Sequence, residues 1–360
     1  MSYQEKAAQN FDLLKSKFYT VYLFYKKKIK YAISLLVKGK KERKGGLNIY
    51  LSKNEINGLE ISVKVGCGLF CEYCPQDNYI KNYKSRYEGQ PKMLSEETFH
   101  SVISNVPVST LIKWTGFTEP LDSKYFSTFS TYLYENKYKQ IISTTLHGAK
   151  HSVSWFCDNL NIFDRITLHL PDDSSLMKSR VDEDYLNTLS QVLKNASLLG
   201  MKEDRLVIFL IGKSFQKDVG MLVEDFLRKG KISATQIHRA EVLNTRNSAI
   251  DVSKLNLANV RSRPFLDKSS DAGKRQFYCS YRRLNMGVLL PNGEVTLCSQ
   301  DYDLDFILGD LKTTNLDNLY EKIETDSRYS QSFASGNFFP CTKCEHYKTL
   351  DSPFSGHLRR

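Results

Sequence analysis

Seven of the eight cysteines in this 360-residue chain fall into two groups, and Cys157 stands alone. The first group is Cys67, Cys71 and Cys74; the second is Cys279, Cys298, Cys341 and Cys344. Core packing gives buried cysteines no reason to keep tight local spacing, so these thiols read as metal ligands before disulfides. Cys67-Gly-Leu-Phe-Cys71-Glu-Tyr-Cys74 puts three thiolates on one short loop. Such a loop can hold three irons of a 4Fe–4S cube and leave the fourth open to a ligand, as catalytic metal sites do. Zinc would want a fourth ligand close by, and no Cys or His follows within twenty residues of Cys74. The spacing therefore points to a catalytic iron–sulfur centre.

The second group supplies four thiolates, enough to saturate one cube and leave no open iron. That suits electron transfer or a structural role, and four thiolates equally suit tetrahedral zinc, so both metals stay open. His346, beside the Cys341–Cys344 pair, reads as incidental.

The elements that must position these groups alternate in type. Strands are expected at 59–65, 111–116, 140–145, 165–170, 206–211 and 234–243, with helices at 95–105, 123–135, 181–199 and 219–229 between them. Repeated β–α pairs imply a parallel sheet with crossover helices, open or barrel-like, with its site at the carboxyl ends of the strands. Six units are too few to close an eight-stranded barrel but enough for a partial one. After about Arg263 the pattern changes. Gly287–Leu290 and Glu294–Leu297 flank Pro291-Asn292-Gly293 as a hairpin, and 315–326 is helix-like. The cysteine loop directly follows the first strand, so the first metal centre belongs at the sheet's active end.

At this point the sequence resembles the radical S-adenosylmethionine superfamily, whose signature is a C-x3-C-x2-C loop with an aromatic residue, here Tyr73, before the last cysteine. Thr115-Gly116-Phe117-Thr118-Glu119-Pro120 is similar to that family's Gly-Gly-Glu-Pro segment with the second glycine replaced, so Gly116, Thr118 and Glu119 carry the comparison. Thr144, at the polar end of the third strand, and Asn244 and Arg246, after the sixth, fall where the family places further cofactor contacts. Cys279, Gly293 and Cys298 form a C-x13-G-x4-C pattern that resembles the start of the family's auxiliary-cluster domain, called SPASM or, in shortened form, twitch. No cysteine follows Cys344, which fits the shortened form.

The resemblance implies a partial (βα)6 TIM-like barrel over 51–262 and a small α+β auxiliary-cluster domain over 263–360. It also implies two 4Fe–4S clusters, one binding S-adenosylmethionine, and a reducing partner of flavodoxin or ferredoxin type. Reductive cleavage of S-adenosylmethionine would then give a 5′-deoxyadenosyl radical that abstracts hydrogen from the substrate. Cofactor chemistry of this kind leaves positioning to the protein. His169 and Asp172, at the end of the fourth strand, can hydrogen-bond a polyol and take an alcohol proton, or simply make a Pro-Asp turn. Cys157 can donate hydrogen in an epimerisation or pack beside Trp155 and Phe156 as an apolar residue.

The net charge of +11 asks for an acidic partner. Between Tyr25 and Lys44, nine Lys or Arg residues stand against one Glu, and aromatics are interleaved. Residues 1–50 thus read as a basic amphipathic helical extension, packed on the main domain or resting at a membrane surface through 15–44. Met1–Asn10 lacks signal-peptide layout, and no apolar run reaches the ~18 residues of a membrane span, which places the chain in the cytoplasm. No RNA-binding motif accompanies the basic helix, which argues against nucleic acid. A phosphate-bearing or lipid-linked sugar suits the extension, with oxidation or epimerisation at a hydroxyl-bearing carbon. Two rivals remain: a peptide-modifying radical enzyme, and a metal-binding or electron-transfer protein without catalysis.

Overall fold

Short apolar strands with a polar residue at alternate positions, such as Leu59-Glu60-Ile61 and Ile112-Lys113-Trp114, place their apolar side chains on one face of a sheet and their polar ones on the other. In the computed structural model these segments form one nine-stranded sheet. The structure describes residues 58–240 and 286–325, positions 250, 255 and 344, and four short strands at 242–243, 261–262, 277–279 and 347–349. The chain divides into two units, 1–46 and 47–360, and every described residue belongs to the second. The expected N-terminal helix, with its membrane contact through 15–44, lies outside the described residues. Among the described residues no helix is long and apolar enough to cross a membrane.

The first six strands are β1 (Gly58–Ile61), β2 (Leu111–Trp114), β3 (Lys139–Thr144), β4 (Arg165–Leu170), β5 (Leu206–Leu210) and β6 (Ile237–Arg239). They lie side by side in chain order, all parallel. The helices are α1 (Gln76–Arg86), α2 (Glu96–Ile103), α3 (Phe126–Glu135), α4 (Lys150–Asp158), α5 (Glu183–Leu198) and α6 (Lys217–Arg228). Sequential order means that each right-handed crossover advances the same way, so the helices gather on one face, as in a barrel and unlike a doubly wound sheet. The core confirms this: Leu59, Ile61, Ile112, Trp114, Ile142, Ile166 and Leu168 pack against Phe99, Phe129, Phe156, Leu189 and Val192 from the helices. The opposite face stays available for a cavity. This is the expected partial barrel.

Four departures from the expected elements have physical reasons. The sixth strand is shorter than 234–243, because Ser233 and Gln236 form a capping box that bends Ala234–Gln236 into a 3-10 turn. Residues 242–243 (β7) pair instead with 261–262 (β8). Helix α1 escapes notice because its apolar stripe is made of tyrosines, Tyr79 and Tyr83, which are fully buried one turn apart. Helix α4 likewise lies in a stretch with no clear apolar period.

The hairpin of β10 (Met286–Leu289) and β11 (Glu294–Thr296) forms around Gly293, whose φ of 96° suits the turn. Its strands join the main sheet: β10 runs parallel to β1, and β12 (Ile307–Asp310) completes the edge. Tyr320, on α7 (Leu316–Thr325), seals this junction by donating to the Gly58 carbonyl at 2.5 Å and accepting from the Gly287 amide at 2.9 Å. Elsewhere β9 (Phe277–Cys279) pairs antiparallel with β13 (Tyr347–Thr349), with Cys279 opposite Tyr347.

Candidate active site

The cysteine loop leaves β1 and is tied down at successive points. The Gly66 carbonyl accepts from Thr118 Oγ1 at 2.8 Å, and the Gly68 amide donates to Asp122 Oδ2 at 3.3 Å. The Glu72 amide donates to the Leu176 carbonyl at 2.9 Å, and Lys178 pairs with the Glu72 carboxylate. Cys67, Cys71 and Cys74 are each half-buried and line one cavity of about 350 Å³. Their sulfurs are not bare: the Leu69 amide approaches Cys67 Sγ at 3.5 Å, Gln76 Nε2 approaches Cys74 Sγ at 3.5 Å, and the Tyr302 hydroxyl lies 3.7 Å from Cys74 Sγ. Burial pushes the Cys67 thiol up to about 11 and the Cys71 thiol up to about 12, so thiolates here need a cationic centre between them. Among the described residues no three of His, Cys, Asp and Glu converge as a single ion requires. Three thiols spread around one cavity, each within reach of a hydrogen-bond donor or buried tyrosine, fit a polynuclear iron–sulfur group better than one ion.

The loop after β2 forms the next wall. Gly116 has φ of 55°, and a Cβ there would lie 2.4 Å from Ser62 Oγ, so only glycine lets this loop cross the end of β1. Phe117 follows, its amide donating to Ser62 Oγ at 2.7 Å and its carbonyl accepting from Gln76 Nε2 at 2.5 Å. Glu119 is buried, and its carboxylate accepts from Thr144 Oγ1, Thr145 Oγ1, the Thr145 amide and the Leu121 amide at 2.7–3.2 Å. Four donors fill its acceptor positions and fasten the β2 loop to the end of β3. Burial still outweighs them and raises the carboxyl to about 7.

The interior face of the strands closes the cavity. Glu60, Lys113, Ile141, Ser143 and His169, from β1 to β4, line it together with Ser299 and Tyr302 from the segment after β11. Glu60 and Lys113 are register partners on adjacent strands. Glu60 is only 3% exposed and accepts from Thr115 Oγ1 at 2.8 Å and from Ser299 Oγ at 3.4 Å. His169 stacks obliquely on Phe209, with ring centroids 4.9 Å apart.

The cavity thus gathers Cys67, Cys71, Cys74, Tyr73, Gly116, Thr118, Glu119, Thr144 and His169. Two expected residues, Asp172 and Cys157, are not among those that line it. Asp172 accepts from the amides of Ser174, Leu176 and Met177 at 2.9–3.1 Å, so its carboxylate shapes the 173–177 loop rather than facing the cavity. Cys157 is 2% exposed in the core between sheet and helices, where burial pushes its thiol up to about 11, and it cannot donate hydrogen to a substrate in the cavity. Asn244, Arg246 and Cys341 lie outside the described residues, and only the backbone of Cys279 is described. Sequence reasoning missed Glu60, Lys113, Gln76, Ser299 and Tyr302. A charged residue at the middle of an otherwise apolar strand was the available signal for Glu60 and Lys113; Ser299 and Tyr302 carried none.

No protein-family model matches the chain, and no curated protein matches it. Solved structures similar to it include BtrN in complex with AdoMet and 2-DOIA, at 14% identity over 82% of this chain and 94% of that one, with a TM-score of 0.43. Another is Streptococcus suis SuiB bound to the precursor peptide SuiA, at 14% identity over 89% and 82%, with a TM-score of 0.44. A third is anSMEcpe with bound AdoMet, at 15% identity over 81% and 84%, with a TM-score of 0.41.

Proposed function

We propose that the chain is a radical S-adenosylmethionine enzyme. The observation that carries this reading is the meeting of Cys67, Cys71 and Cys74 with the Gly116–Glu119 loop and Thr144 around one cavity at the carboxyl ends of parallel strands. Cys67, Cys71 and Cys74 would hold a 4Fe–4S cluster, which with S-adenosylmethionine would supply 5′-deoxyadenosyl radical chemistry. Gly116 lets the loop approach the β1 end closely, Thr118 holds the cysteine loop through Gly66, and Glu119 fixes the β3 end. Tyr73 is buried beside the cysteines and gives the cofactor an apolar wall.

The substrate wall is polar. Glu60, Lys113, Ser143, His169 and Ser299 offer both donors and acceptors, which suits a hydroxyl-bearing ring such as a glycan, nucleotide-sugar or lipid-linked sugar. His169 is the side chain placed to take an alcohol proton. Among the described residues the cavity is lined by no cysteine besides Cys67, Cys71 and Cys74, and oxidation and epimerisation at a hydroxyl-bearing carbon both stay open. Cys279, Cys298, Cys341 and Cys344 would hold a second cluster, which would supply one-electron redox chemistry, and a small reducing protein would be the partner of the first.

Anaerobic reconstitution with iron and sulfide should load about eight irons per chain. About four irons with zinc retained would assign the second group to zinc. Ring-deuterated sugar nucleotides should pass deuterium into 5′-deoxyadenosine. Transfer from a short peptide instead would replace the sugar reading with a peptide-modifying one.

A further inference from the structure

We propose that Tyr302 is a positioning residue that raises the reduction potential of the centre held by Cys67, Cys71 and Cys74. The inference rests on the function proposed above. Tyr302 is far from Cys74 in sequence, 228 positions away, yet its hydroxyl lies 3.7 Å from Cys74 Sγ. Toward a thiolate the phenol can only donate.

The hydroxyl is held from two sides. The ring packs on Phe117 with centroids 4.7 Å apart, and Phe117 is itself fixed by Ser62 and Gln76. Behind it, the backbone from Cys298 to Tyr302 is a tight turn, with the Asp301 amide donating to the Cys298 carbonyl at 3.0 Å. The fully buried Asp301 carboxylate fastens this turn by accepting from Thr296 Oγ1 at 2.6 Å and from the Phe306 and Asp305 amides at 2.9 and 3.0 Å. Tyr302 is 5% exposed. It sits on a turn that is fastened at both ends, from Cys298 to Phe306. Hydrogen bonds to ligating sulfur favour the reduced, more negative state and so raise the potential.

The test uses the reconstituted full-length enzyme, titrated under EPR detection, with Tyr302→Phe and with 3-fluorotyrosine placed at 302. Phenylalanine keeps the ring contact with Phe117 and removes the donor, so the midpoint should become more negative at unchanged iron content. The more acidic fluorophenol should shift it the opposite way. Beside the protons of the Leu69 amide and Gln76 Nε2, the wild type should show one further exchangeable proton coupled to the reduced cluster, and Tyr302→Phe should lose that one. Unchanged midpoints with an unchanged proton signal in loaded protein would overturn the inference and leave the enzyme reading standing. A wild-type chain that binds no iron at Cys67, Cys71 and Cys74 would overturn both.

Discussion

Cys74 is approached by groups from two distant parts of the chain, Gln76 beside it and Tyr302 after β11, whereas Cys67 is approached by the local Leu69 amide. At the scale of single residues the two cysteine groups divide the labour in the proposed function. Cys71→Ala should abolish S-adenosylmethionine cleavage, and Cys298→Ala should keep part of it, both read by chromatography of the products. Equal and complete loss in two folded variants would contradict the division. Asp172 belongs to the scaffold. Its loop carries the Leu176 carbonyl that accepts from Glu72 within the cysteine loop, so Asp172→Asn sets an amide N–H against the donors of 174–177. That should cost about 1–3 kcal/mol of stability, measured by denaturant unfolding. The pH profile of turnover should keep its shape, and a displaced profile would return Asp172 to catalysis.

At the scale of elements, the strands were legible because β–α alternation and apolar runs are local signals, and the cysteine loop was legible because its spacing is. The parallel pairing of β10 with β1 was not, since it joins residues more than two hundred positions apart through backbone bonds that carry no side-chain signature. Asp172 misled because a carboxylate at a strand end looks the same whether it faces a cavity or caps a loop. The β1–β10 junction makes its own prediction. Tyr320→Phe strands the Gly58 carbonyl and the Gly287 amide in a buried setting, which should lower stability by about 1–3 kcal/mol in thermal or chemical unfolding. A neutral result would mean that the strand pairing alone holds the edge. Gly116→Ala should be costlier for function than for folding. It forces a left-handed backbone on a residue whose Cβ meets Ser62, so S-adenosylmethionine affinity should fall before the protein unfolds.

At the scale of the whole molecule, Ser299 and Tyr302 from the segment after β11 complete the cavity that β1 to β4 begin. The molecule's main electrostatic weak point is buried acid. Burial raises Asp301 from 3.8 to about 6. A carboxyl raised on folding favours the protonated form, so its contribution is full below pH about 4 and is lost as pH rises through about 6. Metal-free protein should therefore lose melting temperature across that window, and Asp301→Asn should flatten the slope. A wild-type melting temperature that instead climbs between pH 4 and 6, with the same slope in the variant, would place the control elsewhere.

The most direct test of the central claim is the assay of 5′-deoxyadenosine from anaerobically reconstituted, dithionite-reduced protein supplied with S-adenosylmethionine, beside the Cys71→Ala variant. The account predicts 5′-deoxyadenosine and methionine from the wild type and none from the variant. Fully iron-loaded wild-type protein that binds S-adenosylmethionine yet forms no 5′-deoxyadenosine, with or without candidate substrates, would contradict it.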